Sequence, residues 1–121
     1  MKNNDQAEFS SAKHQLKRAE SLYSDERYTE AISWYRKAAD QGHSFAQYVL
    51  GARYYFGEGV SRNKINAYVY WSLAGLTEDA RAKLVVLEKE MTAKQLAAGQ
   101  KRLIRMQKVI ASKLAARQVG E

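Results

Sequence analysis

Six positions of this chain recur 36 residues further along: Ala31, Trp34, Tyr35, Ala38, Ala39 and Ala46 align with Ala67, Tyr70, Trp71, Ala74, Gly75 and Ala82. Self-similarity at a fixed period of this length marks a stacked array of like units, because one such unit cannot bury its apolar face alone. Small residues alternate with large ones in the pattern. Ala38 and Ala74 let helix backbones approach closely, and the aromatic pairs beside them fill the wider space between layers.

The units are helical. No proline occurs in 121 residues, so no helix interior meets a missing donor or a ring clash. Apolar periodicity predicts six helices, over residues 6–24, 27–40, 44–56, 63–75, 77–91 and 93–117, with breaks where glycine and short polar residues gather. At Asp40-Gln41-Gly42-His43-Ser44 the glycine suits a left-handed turn, and His43 or Ser44 can cap the next helix. At Gly57-Glu58-Gly59-Val60-Ser61-Arg62-Asn63 two glycines turn the chain and Ser61 or Asn63 caps the fourth helix. Thr92 is placed to cap the last helix. Connections this short make neighbouring helices antiparallel.

The segment Ala46-x-x-x-Leu50-Gly51-x-x-Tyr54-x-x-Gly57-x-Gly59-Val60, followed by Ala67-x-x-Tyr70-Trp71-x-x-Ala74, resembles a Sel-one-like repeat (SLR), a relative of the tetratricopeptide repeat. Upstream, the stretch from Tyr28 to His43 is similar to the second helix of such a repeat, and the spacing of Ala19, Tyr23, Tyr28 and Ala31 is nearer the tetratricopeptide pattern. Three departures stand out: Asn63 replaces the family's usual Asp, Gly75 replaces the second Ala, and Glu78 occupies the place of Gly42. The last repeat is therefore expected to be degenerate, as terminal repeats are.

The resemblance implies an all-α fold: a short right-handed α-solenoid of antiparallel helix pairs over residues 12–90, closed by a basic amphipathic capping helix over 92–118, all within a single domain 1–121. It also implies a non-catalytic scaffold that binds another protein through a groove. Adaptor, chaperone and bacterial immunity-type inhibitor are the roles it suggests.

Where a partner would sit is read from side-chain direction. If Ala46, Leu50, Gly51 and Tyr54 face neighbouring helices, then Phe45, Tyr48, Ala52 and Tyr55 form one stripe on the remaining face, at i, i+3, i+7 and i+10. The equivalent stripe on the first helix is Lys13, Leu16, Glu20 and Tyr23. Tyrosines on a rigid helix offer large contact area at little entropic cost. A second stripe, Ile65, Val69 and Leu73, needs a cover, either the final helix or a self-association partner.

Charge marks the other candidate surface. Residues 1–60 hold eight basic and eight acidic side chains, whereas residues 61–121 hold twelve against five, which accounts for the net +7. The final helix carries an apolar face of Leu96, Leu103, Met106, Ile110 and Leu114. Around it, Lys101, Arg102, Arg105 and Lys108 are candidate contacts for an acidic protein, since complementary charge raises association rate and selectivity. The alternative function is a nucleic-acid-associated regulator using this helix, through phosphate neutralisation without any recognisable nucleic-acid motif. A membrane-lying role lacks interfacial Trp, Phe or Tyr in the tail.

The remaining composition excludes more than it suggests. Apolar residues at 45% and charged residues at 27% describe a chain that folds. No apolar run is long enough for a membrane span. The polar start MKNNDQAEFS has no apolar signal core, so the cytoplasm is expected, or the periplasm for a processed form. No cysteine, two isolated histidines and scattered acids give no catalytic, cofactor or metal site. Gly57-Glu58-Gly59 lacks the strand and spacing of a phosphate loop.

Overall fold

Side-chain caps set the helix starts. Ser11 Oγ accepts from the His14 N–H (3.2 Å), His43 Nδ1 from Ala46 (3.2 Å), Asn63 Oδ1 from Asn66 (2.9 Å) and Thr77 Oγ1 from Ala80 (3.2 Å). Thr92 and Gln95 cap reciprocally, each side chain accepting from the other's backbone N–H at 3.1 and 2.9 Å, a capping box. The computed structural model describes residues 11–75 and 77–119. Among these, all regular structure is helical: α1 (Ala12–Ser24), α2 (Tyr28–Asp40), α3 (Ser44–Phe56), α4 (Lys64–Leu73), α5 (Glu78–Glu90) and α6 (Ala93–Val119). The first helix starts later than its apolar pattern predicts, because Ser11 is extended (φ −75°, ψ 143°); residues 6–10 lie outside the described residues.

Packing follows chain order. Helix α1 lies on α2, α2 on α3, α3 on α4 and α4 on α5, an all-α helical repeat solenoid. Its core is the repeated pattern made physical. Ala31, Ala67, Ala38 and Ala74 are buried at the helix crossings, and Tyr35 and Trp71 are buried between layers. Tyr70 stacks on Tyr54 (5.9 Å, 4°) and donates to Asp40 of the preceding hairpin (3.3 Å). Its counterpart Trp34 is half-buried beneath the Lys37 ammonium, 4.1 Å from the ring centre. The difference is one of position: among the described residues no hairpin precedes α1 to enclose Trp34.

Beyond α4 the period slips. The starts of α2 and α4 are 36 residues apart, but those of α3 and α5 only 34. Helix α4 stops at Leu73, three residues shorter than α2, and the four-residue connection to α5 regains only one of them. Consequently Ala80 is buried where Ala82 was expected, Ala82 is exposed, and Glu78 opens α5 instead of matching the Gly42 turn.

The connection between α3 and α4 folds back on the first hairpin. Gly59 has φ +77°, and a Cβ there would lie 2.7 Å from the Tyr28 carbonyl oxygen. Both the backbone angle and the close approach require glycine. Gly42 likewise takes a left-handed φ of +89° between α2 and α3.

Helix α6 packs on α4. Tyr68 fills the space at Gly99, where a Cβ would lie 2.7 Å from its ring. Leu96, Leu103 and Met106 are partly buried against the core, as are Ile65 and Leu73, and Val69 is fully buried. Farther along, Ile110 and Leu114 approach Gly42 (3.6 and 3.8 Å from its Cβ position), and Arg117 Nη1 donates to Gln41 Oε1 (2.7 Å). Thus α6 touches both hairpins. Leu114, expected on the buried face, stays 41% exposed.

Candidate protein-binding groove

Motif residues Ala46, Leu50, Gly51 and Tyr54 are all buried, which fixes the rotation of α3 and turns Phe45, Tyr48, Ala52 and Tyr55 outward. Phe45 is 51% exposed, and the other three are half-buried. Phe56, the last residue of α3, extends this wall and is 62% exposed. Asp79, Lys83, Val86 and Glu90 face it from α5, at i, i+4, i+7 and i+11.

Two cavities mark the ends of this groove. One of about 240 Å³ is lined by Ser44, Phe45, Tyr48, Thr77 and Asp79. The other, about 120 Å³, is lined by Tyr55, Phe56, Trp71, Lys83 and Val86. The Tyr55 hydroxyl crosses to α5 and donates to the Glu90 carboxylate at 2.7 and 2.8 Å. That bond holds the phenol proton and raises its pKa, with burial adding to the effect. Trp71, 5.4 Å from the Tyr55 ring, forms the floor.

The first-helix stripe is different. Lys13 is exposed, but Tyr23 is half-buried and engaged by neighbouring side chains of the fold. Its ring meets Tyr28 edge-on at 5.0 Å and the Arg53 guanidinium at 4.0 Å, and its hydroxyl donates to Glu58 (3.1 Å). Arg53 also pairs with Glu58 at 3.0 Å. Burial raises the Tyr23 pKa, opposed by Arg53. Tyr23 therefore braces the loop after α3, and α3 with α5 makes the open groove.

The Sel1 repeat family matches this chain over residues 22–43 and 44–76, the span in which the glycine turn, buried alanines and aromatic layer have just been located. Residues 22–76 carry Sel1-like repeats. A protective antigen of uropathogenic Escherichia coli strains, whose crystal structure displays an SLR fold, superposes with a TM-score of 0.77 over 92% of this chain at 28% identity. The exopolysaccharide production negative regulator of Rhizobium meliloti (strain 1021) is 36% identical over 52 residues, 43% of this chain. The chain spans only 25% of the antigen and 19% of the regulator. Sel1 repeats generally mediate protein–protein contacts and are typically non-catalytic.

Within this Sel1-like array the basic candidates stand apart from the groove. Lys101, Arg102, Arg105 and Lys108 are exposed on α6 and line neither cavity. Arg102 is engaged by the fold, donating to Asn66 Oδ1 at 2.6 Å. Both histidines serve helix starts: His43 caps α3, and His14 Nδ1 lies 2.6 Å from Ser11 Oγ. Among the described residues no three His, Asp or Glu side chains converge as metal ligands. No helix there is long and apolar enough to cross a membrane.

Sequence reasoning missed Phe56, Lys83, Val86 and Glu90. A phenylalanine ending a helix gives a faint signal at best. The α5 residues carry none, because their facing α3 depends on the slipped period.

Proposed function

We propose that this protein acts by holding a segment of another protein in the groove between α3 and α5. The observation that carries this reading is the aromatic wall of exposed Phe45 and Phe56 with half-buried Tyr48 and Tyr55, which flanks two small cavities on a helix locked in place by its buried opposite face. Rigid aromatic side chains beside cavities are the typical anchors of protein interfaces, and a preformed groove avoids ordering costs on this side. The charged residues Asp79 and Lys83 on the facing wall would orient the bound segment.

An adaptor, a chaperone or an immunity-type inhibitor would each work this way, and so would a regulator that sequesters a partner. The name of the Rhizobium relative, a negative regulator, agrees with the last. The test is capture by the immobilised chain, read by mass spectrometry, against Phe45→Ala/Phe56→Ala. A protein retained by the parent and lost by an equally stable variant supports the groove. Equal retention by both rejects it, and retained material that a nuclease removes supports the nucleic-acid regulator instead.

A further inference from the structure

On a straight helix, Lys94, Lys101, Arg105 and Lys108 fall within about 60° of one another and extend for about 21 Å. They form a single ridge on the side of α6 opposite Leu96, Leu103, Met106 and Ile110, which pack inward. No Asp or Glu occurs between residues 93 and 119. Among the described residues only Arg27–Glu30 and Arg53–Glu58 form ion pairs, so no carboxylate among them pairs with Lys101, Arg105 or Lys108. Arg102 is bound to Asn66, and Lys113 shares a cleft with Asp40. The ridge is flanked by aliphatic shoulders: Ile104 is 55% exposed and Val109 42%, set about 140° apart around the helix.

We propose that this ridge docks an acidic amphipathic helix of a partner protein, whose carboxylates meet Lys101, Arg105 and Lys108 while its aliphatic side chains cover Ile104 and Val109. The surface is separate from the α3–α5 groove, and the proposal does not rest on that reading. Charge complementarity selects the occupant, and the order of residues around the helix selects its class. A helix lying in a membrane puts its apolar stripe at the centre and its cations at the sides. Here the cations are central, and the continuous apolar face is already consumed by α4. A nucleic acid would pair its phosphates with the ridge but leave Ile104 and Val109 wet, and no ring stands there for a base to stack on. An acidic helix with aliphatic neighbours satisfies both components.

The test uses the full chain and a labelled helical peptide with Glu at the mirrored spacing of three and four residues, Leu beside each Glu, and a Gln-for-Glu control. A DNA duplex and vesicles of phosphatidylcholine with phosphatidylglycerol are the competing probes. Saturable binding of the acidic peptide is expected, with none of the control. Lys101→Gln/Arg105→Gln/Lys108→Gln should weaken it about ten-fold or more, and Ile104→Ser several-fold, with unchanged circular dichroism and melting. Absence of saturable peptide binding overturns the proposal. So does tighter binding of duplex or vesicles that Ile104→Ser leaves unaltered.

Discussion

Trp71 donates its indole N–H to the Tyr48 carbonyl at 3.0 Å, and the same ring occupies the space where Gly51 would carry a Cβ. One side chain of α4 thus fixes the height of α3 and forms the floor beneath Tyr55. A methyl group at Gly51 would lie 2.6 Å from Nε1 and 2.9 Å from Cγ of an almost fully buried ring. Gly51→Ala should therefore cost about 1–3 kcal/mol through overpacking, lowering the melting temperature by about 4 °C per kcal/mol. Calorimetry gives the size, and a shift in tryptophan emission in a Trp34→Phe background would show that the strain falls on Trp71.

Asn63 begins α4 by accepting the Asn66 N–H at 2.9 Å. Asn63→Ala should cost about 1 kcal/mol. Asn63→Asp should match or exceed the parent, because a carboxylate makes the same bond and favours the helix N-terminus. Urea unfolding of the pair separates a capping role from any other.

Alkaline pH should unfold the chain earlier than exposed tyrosines would suggest. Burial, assisted by Asp40 and Tyr54, pushes the Tyr70 phenol far above its ordinary value, and burial also raises Tyr35. The folded state holds these protons more tightly than the unfolded one, so the contribution is intact below about pH 10 and lost as pH rises above it. Melting temperature should fall in that range, and the fall should be shallower in Tyr70→Phe. The Asp40 carboxyl, raised by burial, has the same sign at the acid end: its contribution is present below the ordinary carboxylate value and lost as pH rises through the folded one.

Removing residues 93–121 should expose Tyr68, Val69 and the half-buried Ile65 and Leu73 beneath α6. The expected outcome is aggregation and a lowered melting temperature, monitored by size-exclusion chromatography and dye binding. A soluble truncation of equal stability would show that α6 contributes little to covering α4.

Much of the fold could be read from single residues. The recurrence of Ala31 with Ala67 and of Tyr35 with Trp71 located the layers, since small and aromatic side chains at helix crossings report packing directly. Gly42 and Gly59 marked turns because few other residues accept their backbone angles. What escaped was anything set by connection length. The slip that buries Ala80 instead of Ala82 depends on where α4 ends, and the apolar pattern carries the helix on through Gly75 although it stops at Leu73. The site suffered for the same reason. Phe45 and Tyr48 were legible from α3 alone, whereas the Tyr55–Glu90 bond joins residues 35 apart, and the Tyr23–Glu58 bond depends on a loop folding back across the first hairpin.

Helix α6 reaches from Tyr68 on α4 to Gly42 at the close of α2. Units in a linear array sense only their nearest neighbours, which lets such arrays fray from their ends or stretch like springs. A continuous rod laid across both units removes that freedom. Its two points of attachment act as a splint, so the hairpins should melt in one cooperative step and present a platform of nearly constant curvature.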